Sequence, residues 1–188
     1  MTDTTREKLI ENAALLFQER GFHGVGVADI LKKAGVPKGS LYHHFRNGKA
    51  DLAVAAAEWT SGHMMRIIDD AFGPAQDFDH GMATLCHKLA KLFDIQPAWR
   101  ACPIASSLFD GPENQPFRIK SAEIFDRWSH LIASHAIRLG IPAPEAEARG
   151  RMAFIAIQGA WTLAHAQGTS DVLRQLPALM APASAQSS

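Results

Sequence analysis

One run of seven residues, KGSLYHH from Lys38 to His44, brings together a lysine, a serine, a tyrosine and two histidines. Hydroxyl and imidazole groups form hydrogen bonds with base edges or phosphate oxygens, and an ammonium group adds attraction to phosphate. At about 100° per residue along a helix, Leu41 and Phe45 share one face, whereas Gly39 and His43 point the opposite way. This outward face suits a DNA groove. The alternative is the exposed polar face of a helical hairpin.

A second short helix is predicted just before this run, from Val27 to Ala34. Its apolar residues recur at helical spacing on one face: Val27, Ile30, Leu31 and Ala34. Gly35 ends this helix, because glycine readily adopts the left-handed conformation after a helix C-terminus. Pro37 then imposes an extended conformation on Val36. Two short helices joined in this way are the arrangement of a helix-turn-helix DNA reader.

Two further helices would position this pair. A helix with an apolar stripe ends at Gly21, and we expect it to pack across the pair as a scaffold. A long helix is predicted from about Lys49 to Phe72, before Gly73 and Pro74. Lys49 lies in the first turn, where backbone N–H groups point outward, so it is a candidate phosphate contact. Arg46 lies just before it and is a second candidate.

Composition excludes several classes of protein. The chain of 188 residues contains no run of apolar residues long enough for a membrane span, and its N-terminus lacks the apolar segment of a signal peptide. Two cysteines do not make a disulfide framework, so we expect a cytoplasmic protein. The sequence also lacks the G-x-S-x-G, H-E-x-x-H, P-loop and G-x-G-x-x-G motifs, and we expect neither catalysis nor a cofactor.

Charge is distributed unevenly although the net charge is zero. Residues 1–50 hold eight Lys and Arg against five Asp and Glu, whereas residues 51–188 hold eleven against fourteen. The first segment therefore carries +3 and the second −3. A local basic surface on a neutral protein is what a small DNA-binding head requires.

The remaining helices are predicted from Asp79 to Ile95, from Pro116 to Leu139, from Pro144 to Gly168 and from about Thr169 to Met180. Between Met152 and Ala166 only three residues are polar, so this helix must be covered on more than one side. We infer a homodimer with a four-helix interface, two helices from each chain. The alternative is a central helix buried within the monomer. The tail of residues 181–188, rich in Ala, Ser and Pro, is expected to be disordered.

The segments GVGVADILKKAG, PKGSLYHHF and NGK, between Gly21 and Leu52, resemble the DNA-binding head of the TetR family of transcriptional regulators. More narrowly, they resemble the branch typified by LmrA and YxaF, which shares the additional residue between Phe45 and Leu52. The family usually has Ser or Thr at the position of Gly26, which is a tolerated helix N-cap. The segment Trp99–Phe109 resembles a CP-containing segment of the same branch.

The resemblance implies an all-α protein of about nine helices. It implies a three-helix head with the helix-turn-helix in residues 1–48, and a larger ligand-binding and dimerisation domain in residues 49–188. It further implies a repressor that binds palindromic operator DNA as a homodimer and is released by a small ligand. Tyr42 and His43 would contact phosphate or base edges, and Lys49 would contact phosphate. The candidate DNA contacts are Lys38, Gly39, Ser40, Tyr42, His43, His44, Arg46 and Lys49.

Aromatic and methionine residues are concentrated in the second domain, where the TetR family encloses a small-molecule pocket. These residues suit a largely apolar ligand that a few polar side chains hold in place. Any one of them alone is explained by packing in an ordinary hydrophobic core. The candidate pocket residues are Met65, Met82, Cys86, Phe93, Trp99, Phe109, Phe125, Trp128, Gln158, Trp161 and His165. An alternative is a redox or metal sensor that uses Cys86 and Cys102, although their spacing fits no compact zinc pattern and we expect no metal.

Overall fold

The computed structural model describes residues 4–95, residue 104 and residues 115–181. Within those residues the chain forms eight α-helices and no strand, which confirms the all-α fold class. The helices are α1 Thr4–Arg20, α2 Val27–Ala34, α3 Lys38–His44, α4 Lys49–Phe72, α5 Phe78–Ile95, α6 Gln115–Arg138, α7 Ala143–Gln167 and α8 Asp171–Met180. None of these helices is both long enough and apolar enough to cross a bilayer. The predicted tail beyond residue 181 and most of Trp99–Phe109 lie outside the described residues.

The first three helices contact one another and form the predicted three-helix head. Their apolar faces meet in a small core in which Leu9, Phe17 and Ile30 have no exposed surface. One buried polar contact joins this core to α4, because the Gln18 side-chain amide donates a hydrogen bond to the Thr60 hydroxyl at 3.3 Å. α1 is therefore the scaffold on which the two short helices rest.

The chain divides into two compact units, and the division falls within α4, after His63. The first unit also includes the start of α6, as far as Ile124. The first turns of α4 bury four residues: Leu52, Ala53, Ala56 and Ala57. The domain boundary that the sequence places after Gly48 stays a prediction.

The second unit is built from the end of α4, from α5, from the rest of α6 and from the last two helices. α8 packs against both α5 and α7, and it buries Leu173 and Leu176. α8 starts at Asp171, two residues later than the sequence indicates, because the Thr169 hydroxyl accepts the Asp171 N–H at 3.3 Å. It also contains Pro177 within its helical span.

Two side chains of α6 hold the end of α4 within this unit. The His135 ring stacks on Phe72 with a centroid distance of 5.5 Å, and its Nε2 lies 2.8 Å from a carboxylate oxygen of Asp69. Arg138 donates a hydrogen bond to the Phe72 carbonyl oxygen at 2.7 Å. That carbonyl belongs to the last turn of α4, where carbonyl groups have no partner within their own helix. The end of the long helix is thus held by side chains of a second helix.

The two glycines in the middle of α7 have different surroundings. A Cβ added at Gly150 would lie 2.5 Å from the Ser129 carbonyl oxygen and 3.0 Å from the Ala133 backbone nitrogen. A Cβ added at Gly159 would meet no atom of the described chain within 4 Å. Gly150 therefore allows α7 to approach the backbone of α6 closely, whereas Gly159 lies on an open face.

We predict that Gly150→Ala lowers the free energy of unfolding by about 1–3 kcal/mol, because one methyl group forces two helix backbones apart. Urea denaturation at a fixed protein concentration measures this change. Gly39→Ala is the matched control at an exposed helix position, because a Cβ added there would meet no atom of the described chain within 4 Å. It should leave stability unchanged or raise it by up to about 1 kcal/mol through helix propensity. A Gly150→Ala chain as stable as the wild type would contradict the close approach of these helices.

Candidate nucleic-acid and ligand sites

Helix α2 begins at a glycine with no capping side chain. Gly26 is extended, with φ −82° and ψ 152°, and its backbone N–H donates to the Asp29 carboxylate at 3.1 Å. Asp29 lies in the first turn, where a negative charge also interacts favourably with the helix dipole. The departure from Ser or Thr at this position therefore leaves the helix start intact.

The turn between α2 and α3 is fixed by one glycine and one proline. Gly35 is left-handed, with φ 66° and ψ 35°, and its N–H donates to the Lys32 carbonyl oxygen at 3.3 Å. Pro37 is extended, with φ −64° and ψ 152°, and its carbonyl oxygen accepts the Ser40 N–H at 3.0 Å. These two conformations start α3 at Lys38, the residue at which the sequence places it.

Helix α3 has one buried side and one exposed side. Leu41 is only 1% exposed and Phe45, which follows the helix, is also buried. Four of the six predicted contact residues on α3 are exposed: Lys38, Gly39, Tyr42 and His43. Ser40 and His44 are half-buried at the edges of that face. The structure therefore brings these six candidates onto one short helix, with the apolar residues underneath.

The Tyr42 ring lies over the turn that follows α3. It is 55% exposed, and a Cβ added at Gly48 would lie 3.2 Å from its Cε1 atom. Gly48 has a φ of 61°, a conformation that glycine adopts without steric cost. Gly48 thus serves two purposes, since it allows both the turn and the position of the tyrosine ring.

The start of α4 is held by hydrogen bonds across the same turn. The Asp51 carboxylate accepts the Asn47 backbone N–H at 2.9 Å and the Asn47 side-chain amide at 3.0 Å. The backbone hydrogen bond first, and then the side-chain one, lower the pKa of Asp51 below its usual value. The carboxylate therefore stays ionised and keeps the turn closed at neutral pH.

The basic candidates around this turn differ in their surroundings. Arg46 is exposed, whereas Lys49 is half-buried and its Nζ atom lies 4.1 Å from the centroid of the Phe22 ring. The structure adds Arg6 of α1, which the sequence analysis did not single out. Its guanidinium carbon lies 5.4 Å from the centroid of Phe45. No local pattern connects residues 6 and 45, so only the packing of α1 reveals this contact.

Three of the predicted pocket residues meet in the second unit. The rings of Phe93, Trp161 and His165 form a triangle with centroid distances of 5.8, 5.0 and 5.9 Å. The Trp161 Nε1 and the His165 Nε2 are buried and have no hydrogen-bond partner within the described part of the chain. Burial lowers the pKa of His165 below its ordinary value, so the ring is neutral at pH 7.

Other predicted pocket residues make ring contacts or line a groove in the same unit. Phe125 and Trp128 pack against Phe154 with centroid distances of 5.1 and 6.2 Å, and so form a second aromatic cluster. Met82 is buried and lines a groove of about 400 Å³ together with Phe78 and Met152. Two further candidates, Met65 and Gln158, are half-buried. Trp99 and Phe109 lie outside the described residues.

Cys86 is a buried thiol on α5. It has no exposed surface, and burial raises its pKa to about 11. Because the thiolate is the reactive form, this thiol is poorly suited to redox chemistry at neutral pH. Cys102 lies outside the described residues. Across residues 4–95 and 115–181, no three His, Cys, Asp or Glu side chains are grouped as metal ligands.

Comparison with known proteins agrees with the fold and with the helix-turn-helix. Residues 9–56 match the model of the bacterial regulatory proteins of the tetR family, and residues 80–178 match the LmrA/YxaF-like transcriptional regulator C-terminal domain. An HTH-type transcriptional regulator of Mycobacterium tuberculosis is 32% identical over 165 residues, which are 85% of this chain and 83% of the relative. The HTH-type transcriptional regulator YxaF of Bacillus subtilis is 30% identical over 156 residues, which are 82% of each chain.

A solved structure of the regulatory protein TetR from Rhodobacter sphaeroides superposes with a TM-score of 0.76 at 25% sequence identity. The superposition covers 92% of this chain and 95% of the Rhodobacter sphaeroides chain. The two matched families consist of regulators and not of enzymes. Together with the helix-turn-helix geometry, these matches confirm the predicted resemblance: the chain belongs to the TetR family of bacterial transcriptional regulators, with a C-terminal domain of the LmrA/YxaF-like type.

Proposed function

We propose that the protein is a repressor that binds palindromic operator DNA as a homodimer and is released by a small, largely apolar ligand. The observation that carries this proposal is the exposed face of α3. Its outward residues are polar or lack a side chain, whereas its apolar residues are buried beneath it. The exposed side of such a helix buries no apolar surface against the rest of the chain, but it has the residues and the shape to bind in the major groove.

The DNA contacts follow from this face and from the charge of the head. His43 and Tyr42 would reach base edges or phosphate, and Lys38, Arg46 and Lys49 would add charge beside them. Residues 1–50 carry a net charge of +3, so the head attracts a duplex although the whole chain is neutral. In a two-fold dimer, the spacing of the two heads would set the spacing of the half-sites.

The proposal of a homodimer rests on an apolar stripe along α7. Met152, Ile155 and Leu163 recur at helical spacing and are 58%, 57% and 50% exposed. The open face at Gly159 lies among them and would let a second helix approach closely. Leu179 of α8 is also exposed. Large apolar side chains gathered in this way are typical of a protein–protein interface.

The ligand site is proposed at the triangle of Phe93, Trp161 and His165. Buried polar atoms without partners are uncommon because they lose their hydrogen bonds with water. A ligand with an apolar body and a hydrogen-bonding group would satisfy the Trp161 N–H and the neutral His165 ring. The surrounding rings would supply the apolar contacts.

Release would depend on α4, which has residues in both compact units. Ligand binding would favour a state in which α4 is tilted, so that the heads no longer match one turn of B-DNA. A coupling free energy of about 1–3 kcal/mol would weaken operator binding about 5- to 150-fold. A regulator that senses redox state through Cys86 and Cys102 is the alternative, and the raised pKa of Cys86 argues against it.

The assignment of DNA contacts can be tested with a duplex selected by the wild-type chain from a randomised library. We expect His43→Ala to narrow the difference in affinity between this duplex and a scrambled one by about 1–3 kcal/mol, because a base contact is lost. We expect Lys49→Ala to weaken both duplexes alike and to reduce the salt slope by about 1. Fluorescence anisotropy at several salt concentrations measures both quantities.

Lys88→Ala is the matched control for loss of a lysine, since Lys88 lies in the second unit, 3.8 Å from Asp70. It should change neither quantity. If Lys49→Ala instead altered discrimination and His43→Ala altered only the salt slope, the two assignments would be reversed.

The dimer can be tested at the apolar stripe. We expect Leu163→Glu to convert the protein to a folded monomer, because two carboxylates would be buried at a two-fold interface. Light scattering coupled to size-exclusion chromatography measures the mass. Ile119→Glu is the matched control, since Ile119 is 52% exposed and belongs to the first unit, whereas the apolar stripe belongs to the second. A Leu163→Glu variant with the wild-type mass would contradict this interface.

The ligand site can be tested with a compound found by thermal-shift screening of small apolar molecules. His165→Leu should weaken binding of that compound about two- to tenfold through loss of one hydrogen bond. Operator affinity without the compound should stay at the wild-type value. The exposed His130 provides the matched control, His130→Leu. If the Cys86→Ser/Cys102→Ser variant no longer released the operator and the His165→Leu variant still released it, the redox alternative would replace this ligand site.

A further inference from the structure

We propose that Phe22 is a positioning residue for DNA binding: the face of its ring holds the Lys49 ammonium at the start of α4, and Phe117 of α6 holds the ring. Phe22 belongs to the loop after α1 and is not among the predicted DNA contacts. The inference rests on the phosphate contact proposed above for Lys49.

The geometry is that of a cation–π contact. The Lys49 Nζ atom lies 4.1 Å from the Phe22 ring centroid, well within the distance of about 6 Å at which a ring attracts a cation. A lysine has a long stem that loses rotamer freedom when its ammonium becomes fixed on a phosphate. A ring that orients the stem beforehand reduces this loss, and therefore increases affinity without touching the DNA.

The contact with the ring is compatible with a phosphate contact. An ammonium group has three N–H donors, and a ring face occupies only one side of it. The ring attracts the cation through its quadrupole and carries no net charge that would neutralise the ammonium. The same lysine can thus rest on Phe22 and attract a phosphate.

The Phe22 ring is itself held in place. It packs against Phe17 and Phe117 with centroid distances of 5.7 and 5.4 Å, and the latter contact is edge-to-face. Phe117 is buried in the first turn of α6. A salt bridge of 3.3 Å between Lys120 and Glu58 joins the same part of α6 to α4. The start of α6 is therefore fixed against both the ring and the helix that carries Lys49.

This arrangement gives α6 a part in DNA affinity. The helix continues beyond Ile124 into the second unit, whereas its first turn supports Phe22. A shift of that first turn would loosen the ring and hence the lysine. Phe117 would act through Phe22, and Phe22 through Lys49.

A double-mutant cycle on the selected duplex tests the inference. Phe22→Leu should weaken binding about two- to fivefold in the wild-type background, the range expected for a cation–π contact that stays partly accessible to solvent. In the Lys49→Ala background the same substitution should cause no further loss. Lys32→Ala provides the control background, because Lys32 is exposed on α2, and there the loss from Phe22→Leu should add in full. Phe117→Leu should behave as Phe22→Leu does, with a smaller effect.

Phenylalanine analogues with one, two and three ring fluorines at position 22 preserve the shape of the ring but weaken its negative face. Affinity should fall with each added fluorine when Lys49 is present and should stay constant in Lys49→Ala. This series decides the question if Phe22→Leu does not fold. A purely structural role for Phe22 would give fluorine effects that are absent or equal in both backgrounds.

The two proposals fail in different ways. If Lys49→Ala binds the duplex as tightly as the wild type, the phosphate contact is wrong and the inference on Phe22 falls with it. If Lys49→Ala binds more weakly but neither Phe22→Leu nor fluorination changes affinity, only the inference on Phe22 is overturned. Losses that add fully in the Lys49→Ala background overturn it as well.

Discussion

Burial of Leu41 and Phe45 beneath α3 is the constraint on which the rest of the DNA-binding head depends. A helix of seven residues cannot persist by itself in water, so packing must hold it. Leu41 is almost wholly enclosed, and Phe45 ends the helix with its N–H donating to the Leu41 carbonyl oxygen at 2.8 Å. Once these two side chains are enclosed, the outward direction of Tyr42 and His43 follows from helical geometry alone. The polar face is thus a consequence of the apolar one.

Local chemistry made much of this head predictable. Gly35 readily adopts the left-handed conformation that ends α2, and Pro37 fixes its own φ and keeps Val36 extended. The spacing of apolar residues is preserved in both short helices. Contacts between residues distant in sequence were not predictable, because they depend on packing. Neither the position of Lys49 over Phe22 nor that of Arg6 over Phe45 leaves a pattern in the sequence.

Contacts between residues distant in sequence were even less predictable in the second unit. The sequence indicates an excess of aromatic and methionine residues but not which of them touch. In the structure Phe93 contacts His165, and Phe125 contacts Phe154. Composition identifies which residues prefer the interior, but only the crossing of helices determines which of them meet. The Trp161 N–H has no hydrogen-bond partner among the described residues, a further property that no spacing rule could reveal.

The contact between Tyr42 and Gly48 has a consequence for how variants of this protein are interpreted. Any side chain at position 48 would have to adopt a left-handed conformation, at about 1–2 kcal/mol. It would also displace the tyrosine ring by a few tenths of an ångström, since the ring lies 3.2 Å from where a Cβ would stand. If Tyr42 contacts DNA as proposed, a variant at position 48 would bind DNA weakly although every proposed contact residue was still present. A genetic screen that scores only promoter activity would then assign to position 48 a contact that Tyr42 makes.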